Sequence, residues 1–150
     1  QNKKIFKIIK IRTLKTSTPQ TGTHELKPMH RLKVGAIIRK IKLDEFPQLI
    51  NVIKGDINLV GPRPGLPNQE LLLEFRSGRE VFNIKPGITG LAQVMGYDMS
   101  NPKKLSEVDE LYVRNKSLKI DALILLATFI NSPKRYLAQY FKIEDVSSIK

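Results

Sequence analysis

Cysteine is absent, which excludes a disulfide framework, a thiolate metal site and a thiol nucleophile together. Histidine is nearly absent: His24 and His30 leave a two-histidine zinc site little to work with. Long apolar runs are also missing. The best of them, IDALILLATFI at 120–130, falls well short of the roughly 18 residues that span a bilayer, and Asp121 interrupts it. Negative charge is the scarce sign, with 14 acids against 26 Lys and Arg. The resulting +12 points to anionic partners, which are phosphates, nucleic acid or a lipid surface.

What is present suffices for a folded domain, since 150 residues at 41% hydrophobic can bury a real core. No internal repeat and no domain boundary is visible. The chain opens on Gln1 without an initiating Met or a signal-peptide pattern, so its expected start lies upstream or has been removed.

Local patterning yields a series of short elements. KKIFKIIKIRTL at 3–14 is rich in Ile and partly alternating, which predicts a strand or hairpin arm. The Thr-, Pro- and Gly-dense stretch at 16–28 predicts a loop, and 29–40 a short helix with a cationic side that suits an anionic membrane. A second helix is expected from Asp44 to Lys54, because Phe46, Leu49, Ile50 and Ile53 recur at helical spacing and Gly55 supplies the stop. Further along, NQELLLEFRSGRE predicts a helix until Gly78, and VFNI and LAQVM predict short strands joined by a KPGITG turn. Helices are expected again at 105–114 and 118–130, with Ser132-Pro133 ending the latter. The 118–130 helix suits a buried core and a lipid-facing rim equally well. The fold class is therefore α+β: a compact, mainly helical domain with short β-hairpin strands and amphipathic membrane-surface helices. A catalytic domain at 1–133 is followed by a surface helix or tail at 134–150.

Two adjacent acids, Asp44 and Glu45, head the stretch KIKLDEFPQLINVIKGDINLVGPRP. One reading makes Asp44 an N-cap followed by a first-turn acid. The other has Asp44 attack an electrophile while Glu45 binds a metal. In either case a helix N-terminus favours the ionised carboxylate. Arg63, held between two prolines, presents a planar guanidinium from a stiff turn, which suits phosphate oxygens or simply marks a rigid surface loop. Gly87 and Gly90 allow a tight turn in which Lys85 faces a phosphate or water. Asp109 and Tyr112 are spaced to share one helix face.

Taken together and in order, KIRTL (10–14), RKIKLDEFPQLINVIKGDINLVGPRP (39–64), KPGITGLAQV (85–94) and DELYVRNKSLKIDALILL (109–126) closely resemble the bacterial sugar transferases. These are the monotopic phosphoglycosyl transferases that begin polysaccharide and glycoprotein glycan assembly. The resemblance spans roughly 3–130, and the LDE…GDINLVGPRP…KPGITG series is highly specific.

The resemblance implies transfer of a sugar 1-phosphate from a UDP-sugar to undecaprenyl phosphate with release of UMP. Asp44 would be the nucleophile that forms an aspartyl phosphosugar, and Glu45 would hold Mg2+. Arg63 would clamp phosphate, with Lys10, Arg12 and Arg39 as further cationic contacts and Gln93 and Asp109 as substrate-binding positions. Tyr97 and Val81 depart from positions where the family usually carries Arg, with Arg79 nearby.

The family's hydrophobic re-entrant membrane helix is absent here. The chain is thus expected to be the catalytic part of a longer protein on the cytoplasmic leaflet of the bacterial inner membrane, with a homodimer as a further expectation. Two other classes compete. A nucleic-acid module accounts for the charge, but only 7% of residues are aromatic and no reader motif gathers the Lys and Arg, so nucleic acid is not expected. An idle membrane scaffold is at odds with an intact Asp44-Glu45 pair.

Overall fold

The computed structural model describes residues 5–14 and 33–145, except for the side chains of Lys33 and Lys40. The expected loop at 16–28, the first residues of the expected 29–40 helix and the last five residues lie outside this range. The chain divides between Asp56 and Ile57 into two compact units. That division falls inside the GDINLVGPRP run, where no change of composition marks it.

The unit Ile5–Asp56 contains α1 (Lys33–Lys40), a 3-10 helix (Leu43–Gln48) and α2 (Leu49–Ile53). The expected 44–54 helix is thus split, its first half wound tighter around Pro47. Gly55 ends α2 as expected, in the left-handed conformation (φ 76), with its N–H donating to the Val52 carbonyl (2.9 Å). Residues 5–13, expected as a strand or hairpin, form neither helix nor strand.

In place of a ladder, Asn51 holds that arm. Its Oδ1 accepts the Ile9 N–H (3.0 Å), and its Nδ2 donates to the Lys7 carbonyl (2.9 Å) and to Asp56 Oδ2 (3.1 Å). A polar residue in the middle of the apolar run LINVI is costly to bury unless it is so paired.

The unit that begins at Ile57 carries β1 (Asn58–Val60), α3 (Glu70–Ser77), a 3-10 helix (Glu80–Asn83) and β2 (Gly87–Thr89). It continues with α4 (Leu91–Val94), α5 (Pro102–Arg114), α6 (Leu118–Ala127) and α7 (Asn131–Phe141). The α+β class stands, but the hairpin does not. VFNI is largely the 3-10 helix and LAQVM opens as α4, while the strand lies in the expected turn itself.

β2 pairs with β1 in parallel, Asn58 with Gly87 and Val60 with Thr89. Glycine is required at this crossing for space. A Cβ on Gly61 would stand 2.8 Å from the Gly87 nitrogen, and one on Gly87 or Gly90 would overlap the Gly61 backbone.

Around this pair the helices close an apolar core that includes Leu72, Met95, Val108, Tyr112, Ile124 and Leu137. α5 starts where Asn101 Oδ1 accepts the Lys104 N–H (3.0 Å) and Pro102 occupies the first turn, a combination that suits a helix start. α6 ends at Ala127, earlier than expected, and Pro133 sits in the first turn of α7 rather than closing α6. The buried-core reading of α6 holds for one side, where Ile120, Ile124 and Ala127 are buried, whereas Leu118, Leu125 and Leu126 are exposed.

Asn51→Ala removes two hydrogen bonds from the arm and one from Asp56. It should lower unfolding stability by about 1–3 kcal/mol in urea titration and accelerate hydrogen exchange at the Ile9 amide.

Candidate active site

Within Ile5–Asp56 the arm, α1 and the 3-10 helix meet around Asp44. After α1, Lys42 adopts a left-handed backbone (φ 57) and reverses the chain. A helix continued through this point would set Arg39 and Asp44 on different faces. The reversal instead places Arg39 Nε 3.9 Å from Asp44 Oδ2. Left-handed backbone costs a non-glycine residue about 1–2 kcal/mol, so its surroundings must hold it. The Lys42 N–H donates to the Arg39 carbonyl (3.0 Å), and the Lys42 carbonyl accepts the Glu45 N–H (3.2 Å).

The capping reading of Asp44 fails, because Lys42 occupies the N-cap and no side chain caps this helix. Asp44 lies in the first turn, 7% exposed, with half-buried Glu45 beside it. Two further contacts fix the pair from the arm. The Ile11 N–H donates to the Asp44 carbonyl (3.0 Å), and Arg39 Nε donates to Thr13 Oγ1 (2.7 Å). Exposed Lys10 and Arg12 therefore flank the residue hydrogen-bonded to Asp44. Gly35 lets α1 approach this closely, since a Cβ there would overlap the Thr13 carbonyl oxygen.

The carboxylates gathered here are those of Asp44 and Glu45, both hard oxygen donors. Among the described residues no three His, Asp or Glu side chains gather as a metal cluster. Mg2+ characteristically takes one or two carboxylates, several waters and substrate phosphate oxygens, which suits Glu45 beside Asp44.

In the other unit, the Gly61-Pro62-Arg63-Pro64 turn leaves β1 with the Arg63 side chain exposed. Gly87 N–H donates to the Pro62 carbonyl (2.9 Å), so the GPRP and KPGITG segments are directly joined. Asp109 is turned inward. Its Oδ2 accepts from Arg76 Nη2 at 2.5 Å, with both side chains 3% exposed or less, while Arg76 Nη1 donates to the Arg63 carbonyl (3.0 Å). Burial raises the Asp109 carboxyl to about 6, against the opposing charge and hydrogen bond of Arg76.

Asp109's helical neighbour Tyr112 is buried as well, its hydroxyl donating to Asp121 Oδ1 (2.7 Å). Burial and then the Asp121 carboxylate hold that phenol well above the ordinary tyrosine range. Gln93 directs its Nε2 to the Ile88 carbonyl of β2 (3.0 Å), and its Oε1 is buried without a hydrogen bond. Arg79 is bonded to Glu110, which also accepts from Arg114 (2.9 Å), and Val81 is buried.

Sequence reasoning missed Thr13, Asn51 and Arg76. Asn51 had a signal, a lone amide in an apolar helix. Arg76 had none, because a basic residue in a last helical turn ordinarily serves the dipole.

The family model described as bacterial sugar transferase matches residues 1–135. The uncharacterized sugar transferase EpsL of Bacillus subtilis is 40% identical over 125 residues, 83% of this chain and 61% of that protein. The UDP-N-acetylgalactosamine-undecaprenyl-phosphate N-acetylgalactosaminephosphotransferase of Aeromonas hydrophila is 36% identical over 132 residues, 82% of this chain and 31% of that protein. The undecaprenyl-phosphate galactose phosphotransferase of Salmonella typhimurium is 44% identical over 95 residues, 63% of this chain and 20% of that protein. The chain thus spans from about a fifth to three fifths of the length of these relatives.

Asp109→Ala strands a buried guanidinium and should cost about 3–5 kcal/mol in chemical unfolding. Arg114→Ala, which opens an exposed i,i+4 pair with Glu110, should cost at most about 0.5 kcal/mol in the same assay.

Proposed function

The chain belongs to the bacterial sugar transferase family, and from that premise we propose that it is the catalytic part of a phosphoglycosyl transferase. Its donor is a UDP-sugar and its acceptor undecaprenyl phosphate. The named substrates of the Aeromonas and Salmonella relatives support this reading. The observation that carries it is the setting of Asp44, a buried carboxylate with an arginine beside it, an acid next in sequence and a backbone anchored by the arm.

In the proposed reaction an Asp44 carboxylate oxygen attacks the sugar-bearing phosphorus of the donor. The new bond is an acyl phosphate, the bond that breaks is the phosphoanhydride, and UMP leaves with the electron pair. A phosphate oxygen of undecaprenyl phosphate then attacks the same phosphorus, which frees Asp44 and yields a polyprenyl diphosphate sugar. Splitting the transfer into two displacements lets donor and acceptor use one nucleophile in turn. Arg39, oriented by Thr13, supplies fixed positive charge near the attacking carboxylate. Arg63 presents a fork suited to diphosphate oxygens. Glu45 would hold Mg2+, which when bound supplies positive charge against the diphosphate.

The acceptor is a lipid, and the surface suits one. Ile5, Val34, Ile37, Phe46 and Ile53 are each more than half exposed, as are Leu118 and Phe129 in the other unit. Exposed apolar surface among so many Lys and Arg fits the cytoplasmic leaflet of the bacterial inner membrane, where anionic lipid attracts each cation by about 1 kcal/mol. No helix among the described residues is long and apolar enough to cross a membrane.

With the full-length protein, a UDP-sugar panel and undecaprenyl phosphate, UMP release should be lost on chelation of Mg2+. Asp44→Asn should lower turnover by about 10³-fold or more, and substantial retained turnover would remove Asp44 as nucleophile. Separately, the chain should float with anionic vesicles, and Phe46→Ser with Ile53→Ser should reduce the floated fraction at unchanged melting temperature.

A further inference from the structure

The Arg76–Asp109 pair is the most buried charged arrangement among the described residues, and the reaction above does not use it. Stability alone is a poor reason to keep it, because buried ion pairs are commonly replaceable by apolar residues of similar volume without loss. Nor does the arginine satisfy itself there, since its Nε is buried without a partner. What it does reach is one backbone atom of the functional turn, the carbonyl oxygen of Arg63.

That oxygen matters because of where it lies in the chain. Two peptide planes flank the Arg63 Cα. The Pro62–Arg63 plane is held at its oxygen by the Gly87 N–H (2.9 Å), and the Arg63–Pro64 plane is held at its oxygen by Arg76 Nη1 (3.0 Å). Proline at 62 and 64 restricts the neighbouring rotations further. With both planes fixed, the direction of the Arg63 Cα–Cβ bond is fixed, although the side chain itself is exposed. Asp109 in turn fixes Arg76 from α5, by way of Nη2.

We infer that Arg76 and Asp109 are positioning residues that aim the Arg63 guanidinium by clamping the Arg63–Pro64 peptide plane. The inference deepens the reading of Arg63 as a contact to the donor diphosphate and rests on it. It also moves Asp109 from substrate contact to the second link behind one, because its carboxylate is enclosed and occupied by Arg76.

The test uses full-length protein with the double substitution Arg76→Met and Asp109→Leu, which removes both charges together, alone and combined with Arg63→Ala. Amide exchange across 63–66 reads the turn, UMP release reads catalysis, and thermal melting checks folding. The double substitution should melt near wild type, exchange about tenfold faster in the turn and turn over about 10- to 100-fold slower. In the Arg63→Ala background it should slow turnover no further. An equal additional loss in that background, or unchanged exchange at 63–66, overturns the inference. Should the double substitution fail to fold, Arg76→Lys keeps the charge but not the two-pronged reach, and the same readouts decide. Absence of UMP release from the wild-type protein would instead sink the transferase reading, while the exchange measurement would still decide whether the pair holds the turn.

Discussion

The backbone contact between Gly61 and the Gly87–Gly90 segment organises everything described in the larger unit. Two segments separated by two helical elements run parallel so closely that a single methyl group at any of these glycines would collide with main chain. Space is therefore what glycine supplies here, more than unusual dihedral angles. Once the strands are that close, the GPRP turn must leave β1 beside β2, and the Pro62 carbonyl falls within reach of the Gly87 N–H. α5 and α6 then cover the pair, with Tyr112 buried among them and its hydroxyl satisfied by Asp121.

Two polar groups placed in the interior each secure a piece of chain with no regular ladder of its own. Asn51 does so for the arm at 7–9 and Arg76 for the turn at Arg63, while Thr13 holds the Arg39 side chain. Burying such groups is costly unless they are paired, and their partners here are largely backbone atoms of irregular segments. The irregular segments are also where the chemistry-bearing residues stand. Asp44 sits in a 3-10 helix after a left-handed lysine, and Arg63 sits between two prolines.

Much of the candidate chemistry was readable as contiguous motifs: the adjacent acids, the Gly-Pro-Arg-Pro turn and the glycines of KPGITG. The helices at α3, α5 and α6 were readable too, because apolar spacing and breakers such as Gly78 act within a few positions of themselves, although α5 begins at Pro102, three residues before the expected start. β2 was misread for the converse reason. KPGITG has the composition of a turn, and only the approach of β1 makes it a strand, while the apolar VFNI and LAQVM became short helices once no partner strand lay beside them.

By itself, then, the sequence determined the family motifs, the excess of positive charge, the α+β class and the positions of the longer helices, all of which rest on residue chemistry or on neighbours a few positions apart. Tertiary structure alone decided that the two strands are parallel, that Lys42 reverses the chain to bring Arg39 to Asp44, and that Asp109 is spent on Arg76. Each of those outcomes is set by contacts or backbone geometry that no local pattern encodes. The pairing of a buried carboxylate with a guanidinium 33 positions away depends on how α3 and α5 pack, and side-chain type constrains that packing only once the whole core has closed.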